Sequence, residues 1–137
     1  MDKPSSSSYY SYPAAIQQRW RLVSINGDYA PLNVNLVDHN FFIYFRSTRV
    51  SKGRYAFGGK ITQGFWGEYT FDEQGAIEIL MIRGMEDTNP SSAGSGLERL
   101  FERILTSAKS YELTGTAMKL HSPTDTLEFT LPELSIN

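Results

Sequence analysis

The side chains able to do chemistry are few and scattered. Histidine occurs twice, as His39 and His121. His39 lies in Val37-Asp38-His39-Asn40, where Asp38 is the neighbour that would orient an imidazole for acid–base work. The plainer reading is a polar turn, and it extends to His121, which ends an alternating stretch just before Ser122-Pro123. Carboxylates stand at Glu68, Asp72, Glu73, Glu86 and Asp87. A glycosidase needs two of them facing across about 5–10 Å, whereas neighbouring acids in turns are ordinarily hydrated. Asp87-Thr88-Asn89 lacks the length and acid count of an EF-hand loop. The chain has no Cys, which removes disulfides, thiolate nucleophiles and thiolate-held metal clusters, and two isolated histidines alone make a poor zinc site. Gly58-Gly59 and Gly94-Ser95-Gly96 have neither the Lys-Ser/Thr of a phosphate loop nor the spacing of a dinucleotide turn. Asn89-Pro90-Ser91 is no glycosylation sequon, because proline fills its middle. These residues assign no catalytic group, no metal ligand and no cofactor, and a hydrolase built on them ranks last.

The aromatic residues are the better lead. Tyr55, Phe57, Phe65, Trp66, Tyr69 and Phe71 crowd one stretch, and a period of two must send some of them to the outer face of their strands. An exposed aromatic patch would bind an apolar ligand or a partner chain; the simpler expectation is that the cluster is core. Trp66, beside Gly64 and Gly67, is the residue to test first.

The elements that must position these residues are mostly strands. Trp20, Leu22 and Ser24 alternate with Arg21, Val23 and Ile25, and Asn26-Gly27 turns the chain. Residues 28–40, with Pro31 and three Asn, read as a loop. The apolar run Phe41 to Phe45 reads as a strand covered on both faces. Arg49 to Phe57 and Phe65 to Phe71 read as two more strands, with Gly58-Gly59 in the connection between them. Ala76 to Ile82 forms the fifth strand, and residues 84–96 a loop. A helix follows. Ser95 and Glu98 have capping-box spacing, and Leu97, Leu100, Phe101, Ile104, Leu105 and Ala108 form one apolar stripe, with Glu98, Arg99, Glu102 and Arg103 on the solvated side. Three short alternating strands close the chain, around Tyr111 and Leu113, Met118 and Leu120, and Leu127, Phe129 and Leu131. Short gaps imply antiparallel neighbours. The expected fold is therefore mainly β: about eight antiparallel strands in a barrel-like sheet, with one helix inserted between strands five and six.

Composition sets the frame. The 137 residues fit one domain, at 40% hydrophobic, 13% aromatic and 20% charged, which is globular. A formal net charge of −2 and the lack of a long basic run give no electrostatic footprint for nucleic acid, so none is expected. No apolar run of about 18 residues is present to span a bilayer. Residues 1–16 read as a flexible polar tail, rich in Ser and Tyr, and 17–137 as the folded domain. Met1-Asp2-Lys3-Pro4 starts no apolar leader. The location expected is periplasmic or tethered to an outer membrane if a leader was removed, and cytoplasmic otherwise.

Four passages in this order resemble the META (HslJ-like) domain family. They are Trp20-Arg21-Leu22-Val23-Ser24-Ile25-Asn26-Gly27; Gly64-Phe65-Trp66-Gly67-Glu68-Tyr69 leading to an isoleucine-rich strand; Glu98-Arg99-Leu100-Phe101 through Leu105; and Ser110 to Leu120 with Leu127 to Phe129. Lys60-Ile61-Thr62 stands near the place of the family's Gly-Cys-Asn, and Arg83-Gly84-Met85 near that of its Thr-x-Met. The resemblance implies an HslJ-like fold and a non-catalytic role in a bacterial envelope, in stress response or secretion, often as a lipoprotein. It also implies action by binding an envelope protein or a ligand. The chain is expected as a monomer without cofactor. The alternative is a lipocalin-like carrier of a small apolar ligand, which the placement of three strands after the helix disfavours.

Overall fold

The computed structural model describes residues 14–84 and 95–132. Most of the polar tail, Glu86, Asp87, Asn89-Pro90-Ser91 and the side chain of Ser95, hence the capping box, lie outside the described residues. Eight strands run as β1 (Arg19–Ile25), β2 (Phe42–Ser51), β3 (Arg54–Lys60), β4 (Gly64–Phe71), β5 (Ile77–Arg83), β6 (Ser110–Thr114), β7 (Ala117–His121) and β8 (Thr126–Thr130). One α-helix among the described residues, α1 (Ser95–Thr106), stands between β5 and β6, and two short 3-10 turns, Pro31–Asn33 and Leu36–Asp38, lie in the β1–β2 connection. The strands form a single antiparallel sheet ordered β5-β4-β3-β2-β1-β8-β7-β6. This is the mainly β, eight-stranded architecture expected, with the helix where the apolar stripe placed it.

Two meanders, β1–β5 and β6–β8, are joined by the pairing of β1 with β8. The outer strands β5 and β6 meet at one end only. Ala76 bridges Ser110, the Ile77 N–H donates to the Lys109 carbonyl (3.1 Å), and the Tyr111 N–H donates to the Gly75 carbonyl (2.8 Å). The sheet curls but is not closed. Helix α1 packs on β5 and β8, burying Leu97, Phe101, Ile104 and Leu105 completely, with Ala108 just beyond its end. The interior is filled by large side chains, Trp20, Phe45, Phe57, Tyr69, Phe101 and Phe129 among them.

Several expectations change. The segment Arg49 to Phe57 is not one strand but the end of β2, a turn at Lys52-Gly53 and the start of β3. Gly58 and Gly59 consequently lie inside β3 rather than in a loop. In β1 the register slips between Leu22 and Ser24, so the bulge turns Ile25 into the core while Ser24, also buried, donates to Glu128 Oε1 (3.0 Å). Ile16, placed in the tail by composition, is buried, and its carbonyl accepts from the Trp20 indole N–H (2.9 Å). Glu98 is fully buried rather than solvated. Its Oε2 accepts the backbone N–H groups of Thr62 (3.0 Å) and Gln63 (2.9 Å), tying the helix start to the β3–β4 turn.

Asn26-Gly27 adopts the positive φ its composition anticipates (55° and 80°), but the turn does more than reverse the chain. The Asn26 amide donates to Asp125 Oδ1 (2.8 Å) and its carbonyl oxygen accepts the Thr126 N–H (2.8 Å), clamping β1 to the β7–β8 turn. Asp125 also accepts from the Thr124 hydroxyl (2.7 Å) and from Arg103 of α1 (3.2 Å). The Asn26 and Thr124 hydrogen bonds, with Arg103 after them, hold its carboxyl below the usual carboxylate range.

Candidate functional site

Period two divides the aromatic cluster cleanly. Phe57, Phe65 and Tyr69 point inward and are buried, while Tyr55 and Phe71 pack against the core at its rim. The inner rings touch: Phe45 and Tyr69 lie 4.8 Å apart between centroids, Phe57 and Phe65 6.3 Å, and Phe65 meets Phe101 of the helix at 5.7 Å. The Tyr69 hydroxyl donates to the Arg46 carbonyl (2.9 Å) and accepts from Gln17 Nε2 (3.1 Å); burial pushes that phenol well above its ordinary range. Most of the cluster is thus core, as expected. Trp66 alone of the six faces outward, 57% exposed.

What surrounds Trp66 makes it more than a stray surface residue. Pairing across the sheet sets Tyr44 of β2 opposite Gly58 of β3, and Gly58 opposite Trp66 of β4. The apolar run Phe41 to Phe45 is therefore not covered equally on both faces. Phe41, Ile43 and Phe45 enter the core, while Phe42 and Tyr44 lie half-buried on the outside, capped by guanidinium groups. Arg19 sits 3.8 Å over the Phe42 ring and Arg46 4.4 Å over the Tyr44 ring, and Arg46 also hydrogen-bonds the Tyr44 hydroxyl. Between the aromatic side chains runs a trough of about 380 Å³, lined mainly by Phe42, Tyr44, Val50, Gly58 and Trp66, with Arg46 and Glu68 on its rim.

The glycines show which part of this arrangement the fold demands. A β-carbon at Gly59 would lie 2.4 Å from the Phe42 carbonyl oxygen and 2.5 Å from the Phe65 ring. One at Gly67 would lie 2.1 Å from the Met81 carbonyl oxygen and 2.7 Å from the Phe57 ring. Those two positions face inward and admit no side chain. At Gly58 a β-carbon would meet nothing closer than 3.5 Å, the Phe65 carbonyl oxygen, with the Tyr44 ring at 3.6 Å, and φ is not positive. Neither backbone conformation nor crowding requires glycine at 58, although glycine weakens a strand interior. Gly58 lines the trough although it is itself buried beside the Tyr44 ring, and a glycine inside a strand often marks a bend, a bulge or a place where a ligand or another backbone approaches closely.

The other sequence candidates are settled locally. His39 is exposed and stacks on Phe41 (4.8 Å, 4° between planes). Glu68 pairs with Arg54 at 3.4 Å. Asp72 Oδ1 accepts the N–H groups of Gln74 (2.9 Å) and Ala76 (3.1 Å), an Asx-type turn. His121 sits in β7 rather than in a solvated turn: Nδ1 shares a hydrogen bond with the Thr126 hydroxyl (3.0 Å) and Nε2 with Glu112 (3.1 Å). Hydroxyl, imidazole and carboxylate in line have the composition of a nucleophile relay, but Thr126 is the direct cross-strand neighbour of His121, and none of the three lines a described hollow. They act as a cross-strand tie. No cluster of three metal-ligating side chains forms among the described residues. A second hollow of about 470 Å³ opens among Ala14, Glu73, Gln74 and Tyr111. There the Tyr111 hydroxyl donates to the Asp72 carbonyl (2.6 Å), and burial, then the charges of Asp72 and Glu73, raise the phenol's pKa.

One signal in the sequence went unread. From Phe42 to Lys60 the chain carries five cations, Arg46, Arg49, Lys52, Arg54 and Lys60, and no acid, although its net charge is −2. Their spacing, rather than a contiguous run, hides them, yet they cluster on the hairpin that forms one wall of the trough.

Comparison with known proteins speaks to the fold. No protein-family model matches the chain, nor does any curated protein. Among solved structures, it is similar to a DUF4847 family protein from Bacteroides vulgatus, with TM-score 0.59 and 17% identity over 88% of this chain and 96% of that one. A structure solved by NMR gives 0.60 and 17%, covering 96% of each chain. Another, from Burkholderia xenovorans, gives 0.61 and 13% over 96% of this chain and 90% of that one. At such identities the likeness is one of architecture. No helix among the described residues is long and apolar enough to cross a membrane.

Proposed function

We propose that this protein is a non-catalytic binding domain whose working surface is the outer face of β2, β3 and β4, centred on Gly58 between Tyr44 and Trp66. The observation that carries the reading is the glycine itself. It is spared the close contacts that fix Gly59 and Gly67, its φ is not positive, and its cross-strand neighbour Trp66 is left 57% exposed. Large exposed aromatic groups beside a concave floor are characteristic of ligand contacts. A lipocalin-like carrier would hold its ligand inside the sheet, where Trp20, Phe45, Phe57, Tyr69, Phe101 and Phe129 are fully buried; the packed interior supports the outer face instead. Kinship with META-type domains, and with it an envelope location, belongs to the same proposal. Its support is the four sequence passages and a helix inserted between β5 and β6.

The test is a fragment screen read by ¹⁵N–¹H correlation spectra of the isotopically labelled protein. Saturable shifts gathered on Tyr44, Gly58 and the Trp66 indole are expected. Fragments that shift only the Ala14–Gln74–Tyr111 hollow, or only interior residues, would remove the assignment. An apolar leader ending in a lipobox cysteine, encoded upstream of Met1, would support the envelope part; a gene that starts at Met1 would withdraw it.

A further inference from the structure

The charged groups on and around the trough are cations except for Glu68. The outward row through Gly58 reads Arg19, Tyr44, Gly58, Trp66 and Arg83 on five successive strands, two aromatics flanking a glycine and a cation at each end. Four strand spacings separate the end residues, roughly 19 Å along the sheet. Lys60 stands opposite Phe42, and Arg46 lies over Tyr44. The acid on the lining, Glu68, has Arg54 as its partner. Beyond the hairpin the balance reverses: eight cations stand against all fifteen acids of the chain.

We infer that the trough takes a small molecule that carries both a flat ring and an anionic group. The ring lies against Trp66 over the Gly58 floor, and the anion is met by Arg46 and its cationic neighbours. This inference rests on the binding reading above and narrows it to a ligand class. Stacking leaves the edge of a guanidinium turned toward an incoming carboxylate, sulfonate or phosphate, the geometry in which arginine forms its strongest hydrogen bonds. The hollow of about 380 Å³ falls in the range of small-ligand sites. Outside the hairpin the chain holds eight cations against fifteen acids, a balance that disfavours a long polyanion or an anionic bilayer extending past the basic patch. Beneath the trough the main-chain groups of β2, β3 and β4 pair with one another, so a peptide cannot dock there by adding a strand.

The experiment titrates naphthalene-2-sulfonate and AMP against their uncharged counterparts, 2-naphthol and adenosine, with inorganic phosphate as an anion lacking a ring. Shifts of Gly58 and the Trp66 indole are followed at about 50 mM and about 500 mM NaCl. The ring anions are expected to saturate these signals at least about tenfold more tightly than the neutral compounds. They should weaken by a similar factor in R46Q and at high salt, and keep their affinity in K119Q, a cation removed from β7 on another part of the sheet. G58T, its fold verified by the dispersion of its spectrum, is expected to lose the binding by filling the floor. Equal binding of neutral and anionic rings at the trough overturns the ligand class while leaving the site. Phosphate alone binding as tightly as AMP overturns the need for a ring. If no compound shifts the trough, the binding assignment itself falls.

Discussion

Substituting alanine at each of the three glycines Gly58, Gly59 and Gly67 separates what the fold needs from what the surface offers. At Gly67 the new β-carbon would be 2.1 Å from the Met81 carbonyl oxygen and within 3 Å of two atoms of the Phe57 ring. Backbone on one side and a fully buried ring on the other leave it nowhere to go. Forcing a methyl group into such a place costs about 1–3 kcal/mol and more where backbone must yield. Gly59→Ala meets the Phe42 carbonyl oxygen and the Phe65 ring at comparable distances and belongs in the same class. Gly58→Ala has ordinary van der Waals room, and replacing a strand-interior glycine relieves roughly 0.5–1 kcal/mol of chain entropy. The two inward variants should therefore unfold at clearly lower urea than the parent, and Gly58→Ala at equal or higher urea, with unchanged m-values. Unfolding is followed by far-ultraviolet circular dichroism. In heat the gap should amount to about 5–15 °C for a domain of this size. A Gly58→Ala protein as destabilised as Gly67→Ala would refute the reasoning, because glycine at 58 would then be a requirement of the fold and the open trough an accident of packing.

Three further outcomes follow from the same geometry. Trp66→Phe should leave emission from the buried Trp20 alone, shifted to shorter wavelength and almost inaccessible to acrylamide; retained strong quenching would contradict the outward placement of Trp66. Because the Asp125 carboxyl has a depressed pKa in the folded state, its stabilisation is present above the unfolded carboxyl pKa of about 3.9 and is lost as pH falls through the lower folded value. Urea midpoints of the parent should thus drop more steeply below about pH 4 than those of Asp125→Asn, and parallel curves would dismiss the Asn26–Asp125 clamp as a contributor. Glu98→Ala removes the acceptor for the Thr62 and Gln63 N–H groups at a cost of about 1–3 kcal/mol; amide exchange should accelerate at both residues, and unchanged protection there would deny the grip.

The sequence revealed the architecture because that information sits in period. A helical stripe from Leu97 to Ala108 and three alternating stretches after it survive any local irregularity. What failed was local punctuation. Glycine reads as a breaker, so Gly58-Gly59 suggested a loop, whereas at 59 the residue is needed because strands and rings pass too closely for a side chain. The actual turn, at Lys52-Gly53, was masked by β-prone neighbours on both sides. The bulge in β1 reversed the face of Ile25, and no pattern of alternation can announce its own interruption. Glu98 looked solvated because it is charged and opposite the stripe; its burial depends on two N–H groups 35 and 36 residues away in the chain, a tertiary fact. Trp66 was legible as the aromatic to test, but its partners were not. Tyr44 and Gly58 reach it only through strand pairing.

Two uses of glycine, one residue out of phase, connect the core to the surface. Gly59 and Gly67 face inward and let Phe57 and Phe65 press directly against neighbouring backbone, so the strands beneath the trough rest on close-packed rings. Gly58 faces outward, beside the Tyr44 ring and within the lining of the trough. The β3–β4 turn that joins these strands is fastened from the helix by Glu98, and the opposite wall is fastened by the Tyr69 hydroxyl on the Arg46 carbonyl. A surface carried on paired strands and anchored at both ends holds its shape before a ligand arrives, and little ordering entropy is then lost on binding. The arrangement accordingly calls for recognition without rearrangement: spectral changes confined to outward-facing residues of β2, β3 and β4, with the signals of Phe57, Phe65 and Phe101 left in place.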